Sequence, residues 1–130
     1  MSNDHAVDDA RTRGAARLVT WTKDGKLVSQ AVLAHAWQVG SDDIEVAVQR
    51  GDLFEVWVDE SAYFPIELLA LGVANSFRIC RLLYGQAASS KLMFLQRPHD
   101  GLGGMAVVEA LRTGTPFERI LLLAQAYVFT

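Results

Sequence analysis

Apolar residues recur at intervals of three and four from Leu27 to Trp37, where Leu27, Ala31 and Ala34 are flanked by Val28, Val32 and Leu33. That spacing turns one stripe of a helix inward, so a helix is expected here, with Ser29 as an early capping residue. Gly40-Ser41-Asp42-Asp43 supplies a break followed by side-chain acceptors for free backbone N–H groups, and Ile44, Ala47 and Val48 give the next helix its inward face. Gly51 ends that helix because it tolerates left-handed backbone. Phe54 to Val58 alternates in polarity and is rich in β-formers, Asp59-Glu60-Ser61 is polar, and Tyr63-Phe64 resumes the apolar pattern, which predicts a small hairpin. Pro65 suits the first turn of a helix, where its missing N–H costs nothing, and the apolar run continues to Tyr84 with a bend at Gly72 and a stop at Gly85. Ser89 or Ser90 can cap a short helix through Leu95 that Pro98 closes. Gly101, Gly103 and Gly104 form a tight loop before a helix from Met105 to Arg112. Thr113-Gly114 ends it, and Thr115-Pro116 opens a last helix with Ile120, Leu121, Leu123, Ala124 and Tyr127 on its buried face. The expected fold is all-α with one small β-hairpin.

The chain has 130 residues and 14.3 kDa, the size of one domain. Hydrophobic residues at 51% and charged residues at 21% place it among globular chains rather than disordered or collagen-like ones. Residues 1–14 are the exception: polar, rich in Asp and poor in large apolar side chains, they are expected to form a disordered leader. A soft boundary at Phe64-Pro65 separates 15–64 from 65–130, and each half is too small to bury much alone, so the two are expected to pack as one unit. A net charge of -3 argues against a whole-surface grip on nucleic acid or anionic membrane. Cys80 is the single cysteine, which excludes an internal disulfide and fits a reducing cytoplasm; metal-ligand spacings are absent, and no metal or cofactor is expected. The N-terminus lacks the basic start and apolar run of a secretion signal. The most apolar run, Pro65 to Ala74, is interrupted by Glu67 and Gly72 and reads as a buried helix, so no membrane partner is expected.

Leu33 to Ile44, ending at Gly51, resembles the helix-turn-helix of bacterial regulators. That motif needs a small residue where two helices cross, an apolar residue in the turn, and an Ile or Val packing back from the second helix; Ala34, Val39 and Ile44 occupy those places. Where the motif has a turn glycine this chain has Gln38, with Gly40 two residues later able to relocate the bend. Ser41, Asp42, Glu45, Val46 and Gln49 would face a DNA groove, and the two carboxylates among them would repel phosphates, leaving Arg50 as the local cation. The nucleic-acid-binding candidates are Gln38, Ser41, Gln49 and Arg50.

Further features follow in order: Tyr63-Phe64-Pro65, Lys91 to Leu95, Leu102-Gly103-Gly104, Val108 to Leu111, Gly114 and Glu118 to Leu121. From Leu27 to Val128 this series is similar to the Xre/MbcA/ParS-like antitoxins, which place a C-terminal toxin-binding domain behind a helix-turn-helix. Ala106-Val107 stands where that family has a Pro-Leu pair, and the tryptophan that opens its preceding helix is missing. The resemblance implies a helix-turn-helix half followed by a four-helix C-terminal half, self-association, and neutralisation of a cognate toxin, commonly an NAD-consuming RES-domain enzyme. It also implies regulation of the chain's own operon. The corresponding partner-binding residues are Gly103, Gly104, Glu109, Arg112, Glu118 and Arg119, with Tyr127 and Phe129 as aromatic anchors. Two alternatives stand beside it: a DNA-binding regulator without a toxin, and a scaffold of the same fold that has lost DNA binding.

No enzyme constellation emerges. Cys80 lies between Arg78 and Arg81, but its apolar neighbours point to an inert buried thiol. His99-Asp100 are adjacent on a glycine-rich loop and are expected to be solvated, His35 reads as a half-buried packing residue, and Gly101 to Gly104 lacks the strand and spacing of a dinucleotide loop. Trp21, Trp37 and Trp57 are expected in the core. The run Ile66 to Leu83 is apolar on more than one face, which predicts a homodimer, or a higher even assembly, closed by two-fold symmetry through that helix and dissociated by Leu71→Glu.

Overall fold

The structure, a computed structural model, describes residues 16–128. The leader 1–14 and Phe129 lie outside the described residues. In chain order the elements are α1 (residues 16–23), β1 (Leu27–Ser29), α2 (Gln30–Trp37), α3 (Ser41–Gln49), β2 (Val56–Val58), β3 (Ser61–Pro65), α4 (Glu67–Leu71) and α5 (Val73–Leu82). Then come α6 (Ala88–Gln96), a 3-10 turn (Asp100–Leu102), α7 (Val107–Arg112) and α8 (Phe117–Val128). The fold is mostly helical around a small three-stranded antiparallel sheet of order β1-β3-β2.

The sheet corrects the expectation of a lone hairpin. β2 and β3 form that hairpin, with Val56 opposite Tyr63 and Val58 opposite Ser61. β3 then has a second edge, and its backbone groups are paired by Leu27–Ser29, which sequence reading placed in the first turn of a helix; Leu27 lies opposite Pro65 and Val28 opposite Phe64. Ser29 is the point of change. Its extended backbone carries the strand, and its hydroxyl accepts from the Val32 N–H at 3.2 Å, capping α2 as expected. Pro65 is accordingly the last residue of a strand, and the next helix starts at Glu67.

The apolar run after Pro65 is two helices broken at Gly72, whose φ of 82° is left-handed. The break is stapled by Ser76, fully buried, whose hydroxyl donates to the Leu68 carbonyl at 3.1 Å, so the polar group placed in the core is satisfied. Ala87, not a serine, precedes α6, and Ser89 and Ser90 lie inside that helix. Met105 pairs across the glycine turn with His99 before α7 begins at Val107. Residues 16–23, not expected as a helix, pack Leu18 and Trp21 against the core and line a pocket together with Leu92 and Met93 of α6.

One hydrophobic cluster draws Leu33, Ile44, Phe64 and Leu68 from before and after the soft boundary together with Ile79, Phe94, Val107 and Ile120. Leu71 belongs to it at 5% exposure, so Leu71→Glu would bury a carboxylate in the core and unfold the chain rather than part a dimer. The inward side of the Ile66 to Leu83 segment is used inside the chain.

Candidate functional site

Two solvent-facing regions hold the residues singled out above. The first is α3 with the turn before it. Gln38 itself takes the left-handed conformation, at φ 57° and ψ 45°, and Gly40 is extended at φ -77°, so the bend stays at the glutamine instead of moving to the glycine. The turn is held because the Val39 N–H donates to the Ala34 carbonyl at 3.0 Å. Ala34 and Ile44 are buried and Val39 half-buried, which packs α3 across α2. Asp43 accepts from the Gly40 N–H at 3.0 Å, closing the first turn. Gln30, at the start of α2, donates from Nε2 to the Ser41 carbonyl at 2.9 Å and reaches Glu45 Oε1 at 3.5 Å, fixing α3 from its other side.

Gln38, Ser41, Gln49 and Arg50 are all exposed, as are Asp42, Glu45 and Val46. The structure therefore brings the four nucleic-acid candidates to one helix and its turn. With Asp42, Asp43 and Glu45 against the single guanidinium of Arg50, the electrostatics of this face oppose a phosphate backbone.

Directly after Gly51 the chain places Asp52 in the interior, and its carboxylate is bound in fork geometry by Arg81 of α5: Nε donates to Oδ1, and Nη2 to Oδ2 at 3.1 Å. The hydrogen bonds from Arg81 hold the Asp52 carboxyl below its ordinary range, overcoming the opposing effect of burial. This pair ties the end of α3 to α5. In sequence Arg81 reads only as a neighbour of Cys80, which is buried and whose thiol burial pushes up to about 12, an inert group as expected.

The second region is the C-terminal helices. Glu109 and Arg112 on α7, and Glu118 and Arg119 on α8, are exposed. Gly103 and Gly104 carry φ of 68° and 81°, which makes them the bend of a loop closed by the His99 N–H donating to the Met105 carbonyl at 3.0 Å. His99 Nε2 lies 2.7 Å from the Phe94 carbonyl and its ring packs tilted against that of Phe94, centroids 5.0 Å apart, so it clamps the loop instead of working with Asp100. Tyr127, half-buried, packs inward as its place on the buried face of the last helix predicts: its hydroxyl donates to the Ser90 carbonyl at 3.1 Å and its ring lies 5.3 Å from Phe94.

Between α5 and α8 runs a cleft of about 530 Å³, floored by Leu82 and Leu121, with Arg78 and Arg81 on one side and Glu118 and Gln125 on the other. Leu122, 66% exposed, also lines it. Sequence reasoning missed this cleft, although Ile120-Leu121-Leu122-Leu123 carried the signal: four successive apolar residues cover more than a full turn of a helix, so one of them must face away from the core. Trp57, expected in the core, is 58% exposed on the edge strand β2. His35, expected half-buried, is exposed. Among the described residues no three His, Cys, Asp or Glu side chains group as metal ligands, and no helix is long and apolar enough to cross a membrane.

No protein-family model matches the chain, and neither a curated protein nor a solved structure matches it.

Proposed function

We propose that this chain is an antitoxin-like bacterial interaction protein of the cytoplasm, without catalytic activity of its own, that binds and neutralises a partner toxin and regulates its own operon. In this reading α2 and α3 form a helix-turn-helix, and the helices from α4 onward form the toxin-binding part. The observation that supports it is the division of labour along the chain. A two-helix unit with its second helix turned outward is followed by α7 and α8, which set Glu109, Arg112, Glu118 and Arg119 on the surface while Val107, Ala110, Ile120 and Ala124 are buried beneath them. Polar residues held on rigid, core-anchored helices suit recognition of a protein partner. A toxin that consumes NAD, such as a RES-domain enzyme, is the partner implied.

Co-expression with the adjacent open reading frame tests it. The neighbour should arrest growth when expressed alone, lower cellular NAD, become harmless with this chain present, and co-purify with it. A neighbour that is harmless alone, or that fails to co-purify, overturns the reading.

A second reading, a DNA-binding regulator without a toxin, is favoured by the exposure of Ser41, Gln49 and Arg50 together on α3. It requires binding to the chain's own promoter at about 50 mM salt, where phosphate contacts are strongest, and loss of that binding in Arg50→Ala. No binding under those conditions leaves the fold as a scaffold without DNA contact, the outcome the carboxylates of α3 favour.

A further inference from the structure

The cleft between α5 and α8 has a charge arrangement that fits a copy of itself. Its α5 edge carries Arg78, whose guanidinium is parked 5.3 Å above the ring of Phe117, and Arg81, which is engaged with Asp52. Its α8 edge carries Glu118, and between the edges lie Leu82, Leu121 and the protruding Leu122. Arg78 and Glu118 are both exposed and, among the described residues, make no ion pair with each other. An isologous contact requires a patch that complements itself under a two-fold rotation. A two-fold axis running along this cleft lays α5 of one copy over α8 of the other. Arg78 then meets Glu118 twice, and the two Leu122 side chains enter the shared apolar floor. Tyr84, 69% exposed and three residues beyond Arg81, has its ring beside Gly51, outside the lining of the cleft. A stable interface needs roughly 800 Å² from each partner, so a contact that covers the cleft must extend onto such flanking residues.

We propose that this α5–α8 face is the site of homodimerisation, with Leu122 as its apolar anchor and the reciprocal Arg78–Glu118 pairs as its register. The face is the outward side of the segment for which sequence predicted self-association; the inward side is the core. The inference holds whether or not the chain meets a toxin or DNA, because its partner is the chain itself.

The full chain tests it by sedimentation equilibrium across a dilution series. The wild type should give twice 14.3 kDa at the concentrated end. Leu122→Glu, at an already exposed position, should keep its helical circular dichroism and weaken dimerisation at least about tenfold, the minimum expected of a carboxylate forced into an apolar contact. Glu118→Arg alone should weaken the dimer by setting like charges against each other, and Arg78→Glu combined with Glu118→Arg should restore it, since the swapped pair is again complementary. A concentration-independent mass of one chain overturns the proposal. So does a dimer of folded Leu122→Glu as tight as wild type, which moves the interface elsewhere, and so does a charge swap that fails to recover what Glu118→Arg lost.

Discussion

α3 and α8 both turn one side to the core and the other to solvent, but they were given different outer surfaces by different means. α3 is short, acidic outside, and, besides its buried Ile44 and Ala47, set in place by local devices: a left-handed Gln38, the Asp43 side chain on the Gly40 N–H, and the Gln30 amide on the Ser41 carbonyl. α8 is longer, carries a leucine outside, and is fixed from below by Ile120 and Ala124, both fully buried against helices distant in sequence. A surface oriented by local hydrogen bonds can be altered without unfolding the protein. A surface oriented by the core cannot lose its underside without losing the fold.

The sharpest way to break the comparison is therefore from beneath α8. Ile120→Ala removes a fully buried branched side chain and should lower stability by about 2–5 kcal/mol, read as an earlier midpoint in denaturant with little change in slope. The next largest effect lies at the joint after α3. Gly51 has φ 79°, and a Cβ there would sit 2.5 Å from Tyr84 Cδ2. Gly51→Ala should cost roughly 1–2 kcal/mol for the left-handed backbone alone, and adding Tyr84→Ala should recover only the part due to the clash. At the head of α3 the sign reverses. Gln38→Gly relieves the left-handed strain and gives back part of it in chain entropy, so thermal melting should show a gain of about 0.5 kcal/mol with the surface of α3 unchanged.

The smallest effect is that of pH on the Asp52–Arg81 tie. Because folding lowers the Asp52 pKa, the stability it supplies is fully present above the ordinary carboxylate range and disappears as pH falls through the folded-state value. Wild type should lose melting temperature more steeply than Arg81→Gln between about pH 5 and 2, the two converging in acid. Parallel curves would mean that the pair adds nothing.

Much of the helical skeleton was legible because it is punctuated locally. Ser29 capping, the left-handed Gly51, Gly72, Gly85 and Gly114, and the glycine bend at Gly103 and Gly104 all act within a few residues of themselves. What escaped depends on partners far along the chain. Leu27–Ser29 is a strand only because β3, some 35 residues later, has an edge to fill, and a three-residue strand running into a helix mimics helical spacing. Gln38 escaped for the opposite reason: a non-glycine residue in left-handed backbone leaves no mark in composition. The outward positions of α3 and the polar residues of α7 and α8 were readable from helical periodicity. Of the cleft only the outward leucine within Ile120 to Leu123 was marked, since the cleft joins Arg78 and Arg81 to Leu122 from helices about 40 residues apart.

Arg81 belongs to two places at once: its guanidinium closes on the carboxylate that follows α3, and it also lines the cleft beside α8. An occupant of the cleft whose anion drew Arg81 out of its fork, instead of taking the N–H groups left free at Nη1, would strand Asp52, 4% exposed, without its counter-charge. The penalty for that would fall on the segment leaving α3. Occupancy of one surface and the order of the other are then coupled in free energy, and the coupling must run equally in both directions, so a ligand that steadies α3 through Asp52 would tighten the hold on Arg81 and make the cleft less receptive to acidic partners.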